Sequence, residues 1–135
     1  MSLTDKGRIL VRISQKILDH EEELTQLEAR DTGKPMTTAR NDIKVLARYF
    51  EFYAGAADKL HGQVIPYLDG YSVNVHRVPY GVTAHIIPWN YPAQQFGRSV
   101  GPALAVGNAA VVKPSEDACL TTLVMSQLGL DAGLP

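Results

Sequence analysis

Two apolar runs constrain this chain more than anything else in it. Gly81 to Ile87 is nearly continuous in apolar residues, and Ala109 to Val112 is a second such run. Each is short and bounded by turn residues, as expected of strands buried on both faces of a parallel sheet. The stretch between them reads as a crossover helix. Parallel strands joined in this way put both of their C-terminal turns on one edge, where open α/β sheets bind ligands. The first turn is Pro88-Trp89-Asn90-Tyr91-Pro92 and the second is Lys113-Pro114-Ser115-Glu116. Asn90, Lys113 and Glu116 are therefore expected around one site.

The rest of the chain leads into that unit. Leu10, Ile13, Ile17, Leu24 and Leu27 share one helical face, which predicts a helix from about Asp5 to Arg30. Its opposite face carries Asp19, Glu21, Glu22 and Glu23, a solvated charge run. Gly33 and Pro35 end it, the glycine by permitting a left-handed cap and the proline by preventing continuation. A second helix is predicted from about Thr38 to Leu60 on the stripe Ile43, Leu46, Phe50, Tyr53, Ala57 and Leu60. Tyr49, Phe50, Phe52 and Tyr53 read as packing residues rather than a ligand box. Met1-Ser2-Leu3 carries no structural expectation.

After Gly62 the period changes to two. Tyr71, Val73 and Val75 alternate with Ser72, Asn74 and His76, the pattern of a half-buried strand. Asp69-Gly70 is a tight-turn signal, and a partner strand over Gln63 to Leu68 contains Pro66, which confines it to an edge. The hairpin, at about 62–78, presents an edge to which another chain can add. Downstream, Gly101-Pro102 is expected to interrupt the crossover helix, since proline lacks the donor and clashes with the preceding turn. A last helix is expected from about Asp117 to Asp131, with Leu120, Leu123, Val124 and Leu128 inward.

Composition narrows the class. With 135 residues, 45% apolar and 20% charged, the chain can bury a core. A net charge of −1 leaves no footprint for nucleic acid. No apolar run approaches the roughly 18 residues needed to span a bilayer, so neither nucleic acid nor membrane is expected as a partner. One cysteine, Cys119, excludes an internal disulfide and suits a cytoplasmic setting. No histidine stands at ligand spacing to another or to Cys119, so no metal is expected. His85, inside the first strand, reads as a hydrogen-bonded structural residue. Two strands make a poor parallel sheet, so the chain is expected to be the front part of a longer protein.

The candidate residues admit two readings each. Asn90 is either the N-cap of the following helix or a side-chain donor to a developing oxyanion. Trp89 is either core or a cleft wall. Lys113 and Glu116 match the two hydroxyls of a ribose, one donating and one accepting, or are a strand-end lysine and a glutamate favourable to a helix dipole. There is no G-x-G-x-x-G fingerprint and no G-x-x-x-x-G-K-[ST] loop.

The segment I-I-P-W-N-Y-P followed by G-P-A-L-A-V-G-N-A-A-V-V-K-P-S-E closely resembles the aldehyde dehydrogenase superfamily. The resemblance extends through L-E-A-R-D-T-G-K-P, Y-F-E-F-Y-A-G-A-A-D-K-L-H-G, R-V-P-Y-G-V and D-A-G-L-P, so it covers essentially the whole chain. It implies an α/β fold: N-terminal helices and a β-hairpin arm leading into a Rossmann-type parallel sheet, incomplete here. Residues 1–135 would be the N-terminal part of the NAD(P)-binding domain, with the catalytic domain absent and the hairpin serving a homodimer or homotetramer.

Residue by residue, Asn90 matches the oxyanion-hole asparagine. Ile86, Ile87, Pro88 and Trp89 match cofactor-cleft positions, with Asn90 beside them. Lys113 and Glu116, with Ser115 between, match the segment that holds the adenosine ribose. A carboxylate at Glu116 leans toward NAD over NADP, because it would repel a 2′-phosphate. The implied chemistry oxidises an aldehyde to a carboxylate. It needs a cysteine nucleophile and a water-activating glutamate that the family carries beyond these residues; Cys119 is not that nucleophile. Two further classes stay open: a non-catalytic binding or assembly module, and a relative that reduces an acyl phosphate or acyl-thioester on the same fold.

Overall fold

The computed structural model describes residues 1–135. Its elements are α1 (Leu3–Asp19), α2 (Glu21–Thr32), α3 (Met36–Ala56), β1 (Gln63–Ile65), β2 (Val73–Val75), β3 (Val82–Ile86), α4 (Pro92–Ala105), β4 (Ala109–Lys113) and α5 (Leu120–Asp131). The class is the α/β arrangement expected, helices and a hairpin followed by β-α-β-α. No helix is long and apolar enough to cross a membrane.

The helices make the core. Ile9, Leu10, Ile13 and Ile17 of α1, Leu24 of α2, Ile43, Leu46 and Phe50 of α3, Phe96 and Val100 of α4, and Met125 and Leu128 of α5 form one buried cluster. The α3–α4 contact is close because Gly97 has no side chain; a Cβ there would sit 2.9 Å from Leu46 Cδ1 and 3.2 Å from Tyr49 Cβ. Phe50 and Phe96 meet across it with ring centroids 6.2 Å apart. Polar bonds fix the neighbours: Ser14 Oγ donates to Ala47 O at 2.9 Å, and Arg12 Nε donates to Ala132 O at 2.8 Å, tying α1 to the turn after α5.

Several expectations are corrected here. The first helix is two, because the backbone turns at His20 (φ −105°, ψ 19°) and restarts with Glu21, Glu22 and Glu23 in a new first turn. That acidic run favours a helix N-terminus electrostatically, and it is not only solvated: Arg40 of α3 pairs with Glu21 at 3.3 Å and with Glu22 at 2.6 Å. Ser2 does have a structural part, capping α1 by accepting from Asp5 N at 3.1 Å. The second helix stops at Ala56, leaving Leu60 exposed.

The crossover helix runs unbroken through Pro102, held by Val100, Ala103 and Ala105, all buried, against the loss of one backbone bond. The last helix starts at Leu120 instead of Asp117, its first amide donating to Asp31 Oδ2 at 2.8 Å. That anchor turns Thr121, Met125 and Leu128 inward and leaves Leu120 and Leu123 exposed.

The strands depart further from expectation. β1 and β2 pair antiparallel in the register Gln63↔Val75, but each is only three residues long. The connection is a long loop containing Pro66, with a turn closed by Tyr71 N to Leu68 O at 3.1 Å and Gly70 at φ 86°. It is not the two-residue hairpin that Asp69-Gly70 suggests. Nor is its alternation half-buried, since Tyr71 and Val75 are exposed and only Val73 is partly covered.

β3 and β4 pair in parallel, Val82↔Ala109 through Ile86↔Lys113. They are not buried on both faces. Thr83, His85, Ala110 and Val112 turn toward the helices, while Val82, Ile86 and Val111 are 67%, 80% and 61% exposed.

Candidate functional site

The parallel register builds the site. Ile86 lies opposite Lys113, and Ile87 N donates to Lys113 O at 3.0 Å, so the two strands end level. From that edge leave the two turns, Pro88 to Tyr91 and Pro114 to Cys119. Ile87 is 2% exposed and serves through its backbone and core packing; Ile86, Pro88, Trp89 and Asn90 are exposed. Trp89 is thus an exposed residue of the turn itself and not part of the core.

Asn90 is not a helix cap. The N-cap of α4 is Tyr91, and no side chain caps the helix. With Pro92 at the first helical position, one of the orphan donors is missing anyway. Among the side-chain hydrogen bonds of the chain none involves Asn90, so its amide is free to meet a ligand and makes no bond to Lys113 or Glu116.

Lys113 and Glu116 do come together, Nζ to Oε2 at 2.9 Å, both open to solvent. The hydrogen bond from Lys113 is the main cause that holds the Glu116 carboxyl below the usual carboxylate range. The pair therefore presents an ammonium and an ionised carboxylate side by side, the donor and acceptor that a vicinal diol requires. Ser115 is half-buried, and its Oγ accepts from Asp117 N at 3.3 Å, shaping the turn between them.

His85 underlies this edge. Thr83 Oγ1 donates to Ala109 O at 3.1 Å, so it accepts from His85 Nε2 at 2.8 Å, which leaves Nδ1 to accept from Ser99 Oγ. The ring is then the neutral Nε2–H tautomer, and desolvation by burial lowers its pKa in agreement. It links β3 to β4 and α4, the structural role expected of it.

Sequence reasoning missed a buried ionic cluster beside Tyr91, the residue that follows Asn90. Lys34 Nζ donates to Glu28 Oε1 at 2.9 Å and to Asp42 Oδ2 at 2.7 Å, with both carboxylates buried. Asp42 Oδ1 accepts from Gln94 Nε2 at 2.7 Å. The same ammonium lies 4.7 Å from the centroid of the Tyr91 ring. Desolvation acts to lower the Lys34 pKa, but the bonds it donates to Asp42 and Glu28, with their charges, outweigh it and the net shift is upward. The signal was present: Asp42 falls on the apolar stripe of Ala39, Ile43 and Leu46, and Glu28 one turn from Leu24. A charge on a buried stripe needs a partner. A small polar hollow beside the cluster is lined by Tyr49, Tyr91, Gln94, Gln95 and Arg98. Tyr49 thus faces a cavity, whereas Phe50 is core and Phe52 is exposed.

Comparison with known proteins bears on the whole chain. The model described as the aldehyde dehydrogenase family matches residues 1–135. Aldehyde dehydrogenase family 2 member B4, mitochondrial, of Arabidopsis thaliana is 44% identical, over 100% of this chain and 25% of that protein. A crystal structure described as an aldehyde dehydrogenase from Burkholderia cenocepacia superposes with a TM-score of 0.98 at 61% identity, over 100% of this chain and 28% of that one. PnpE, solved in complex with nicotinamide adenine dinucleotide, superposes with a TM-score of 0.98 at 40% identity, again over 100% and 28%. The chain thus spans about a quarter of the length of the relatives it matches.

Proposed function

The chain belongs to the aldehyde dehydrogenase family, and we propose that it forms the N-terminal part of the cofactor-binding domain of an NAD(P)-dependent enzyme that oxidises an aldehyde to a carboxylate. The observation that carries this reading is the level ending of β3 and β4, with Asn90 on one turn and the Lys113–Glu116 pair on the other. The nucleophilic cysteine and the water-activating glutamate lie outside these residues.

Each residue has a stated part. Asn90 donates its side-chain amide to the oxygen of the aldehyde as thiolate attack makes it an oxyanion, a charge it stabilises more than the neutral carbonyl. Lys113 donates to, and Glu116 accepts from, the hydroxyls of the adenosine ribose. The nicotinamide cofactor, when bound, accepts the hydride. Ile86, Pro88 and Trp89 supply apolar surface along the turn, Ile87 anchors it to β4, and Ser115 shapes the ribose side. NAD is the favoured cofactor, because Glu116 is ionised and a 2′-phosphate would meet its charge.

In the full-length enzyme, Asn90→Ala should lower kcat by about 10²–10³. The unfolding midpoint and NAD affinity should be nearly unchanged, since Asn90 caps nothing. Steady-state kinetics beside thermal unfolding of the same variant decide it; normal kcat would sink the oxyanion role. For the cofactor, Glu116→Gln should shift the NAD/NADP ratio of kcat/KM a few-fold toward NADP. An unmoved ratio would leave Glu116 as a turn residue only.

A further inference from the structure

The exposed turn that carries Asn90 is fixed at its two ends by different means. On the strand side, Ile87 is buried and its amide bonds to Lys113 O at 3.0 Å. On the helix side, the first turn of α4 has no side-chain cap. Its Pro92 and Ala93 are buried against the helices. Its polar hold is the ionic cluster of α2, α3 and the loop between them: Gln94 bonds to Asp42, and the Tyr91 ring lies under the Lys34 ammonium. Asn90 itself makes no side-chain bond, so its amide points wherever the backbone on either side directs it.

Resting on the oxyanion role assigned to Asn90, we infer that Gln94 is a positioning residue for it, transmitting the rigidity of the Lys34–Asp42–Glu28 cluster to the turn. The geometry supports this at each link. Asp42 has both oxygens occupied, Oδ2 by Lys34 and Oδ1 by Gln94, and is 1% exposed. Lys34 is fixed in turn by Glu28, which is fully buried. A carboxylate held this way cannot follow Gln94 if α4 shifts, so Gln94 is tethered to an immobile point. The backbone passes the tether on, because Gln95 N donates to Tyr91 O at 2.9 Å and Tyr91 directly follows Asn90. The reaction is sensitive to such a tether: a misplacement of about 1 Å can cost roughly 10²-fold in rate.

The test is Gln94→Met in the full-length enzyme, alone and combined with Asn90→Ala. Methionine keeps the length and loses the donor. One oxygen of buried Asp42 then loses its partner, so the unfolding midpoint is measured beside kcat, and turnover is counted per folded molecule. Gln94→Met should lower kcat about tenfold, part of the roughly 10²-fold that full misplacement costs, leave NAD affinity unchanged, and speed amide exchange at Gln95. On the Asn90→Ala background it should change kcat by less than about twofold, because there is no longer an amide to position.

Wild-type kcat in Gln94→Met, with Asn90→Ala still impaired, overturns the inference and leaves the oxyanion reading standing. So does an equal loss on both backgrounds, which would make Gln94 a substrate contact. If Asn90→Ala alone is fully active, the oxyanion reading fails, and the positioning role fails with it.

Discussion

Phe50 of α3 and Val111 of β4 are both large apolar residues on regular elements, yet the first is 1% exposed and the second 61%. Every helix in this chain finds its partners among the other helices, so α1 through α5 close around one cluster. The sheet finds a partner for only one face. A parallel pair needs helices on both sides, and α4 supplies one. A regular apolar pattern therefore marks a face suited to burial, without reporting whether these residues supply its cover.

The contrast can be broken by mutation. Phe50→Ala should destabilise the chain by about 3–5 kcal/mol, the range for emptying an aromatic from a packed core; chemical denaturation measures it, and a loss below about 1 kcal/mol would show that the helices do not form the principal core. Val111→Asp should cost the 135-residue chain about 0.5 kcal/mol or less. The same change in the longer protein should cost several-fold more, since a covered face would trap an unpaired charge. Equal costs in both would mean that the face is never covered.

The smallest effect is expected from deleting residues 63–76, because the hairpin strands pair only with each other. The midpoint of the 135-residue chain should not move. In the longer protein we propose that this arm joins subunits, so light scattering should show a smaller assembly. An unchanged mass would retire the arm.

What could be read from the sequence follows the same division. The stripe of α3, the register-setting strand Ala109–Lys113 and the helix-ending Gly33 at φ 76° needed only local chemistry. The break at His20 was masked because Ile17 and Leu24 stay in phase across it, although Glu21 to Glu23 marked a new N-terminus. On α5, Leu128 and Val124 do pack on the core, while Leu120 and Leu123 do not, because leucines occupy several sides of the helix and a distant residue, Asp31, sets its entry. Asn90, Lys113 and Glu116 stood out by their position after strands. Asp42 and Glu28 are legible only as charges on apolar stripes, and Gln94 is not legible at all, since it lies 52 residues from Asp42 and meets it only once α4 has packed on α3.

The bond from Arg12 to the carbonyl of Ala132 spans almost the whole sequence. Closing a loop of that size costs only slightly more entropy than closing a shorter one, since the cost grows as the logarithm of length. Its timing on the ribosome is another matter. The face of α1 that receives α5 must wait, solvent-exposed, until Ala132 has left the exit tunnel, whereas α1 can meet α3 much sooner. The nascent helices would therefore assemble in two stages, the second completed by the turn after α5, and Val82, Ile86 and Val111 would still be bare when it finished. An emerging chain in that state offers chaperones an apolar strand face on an otherwise folded body.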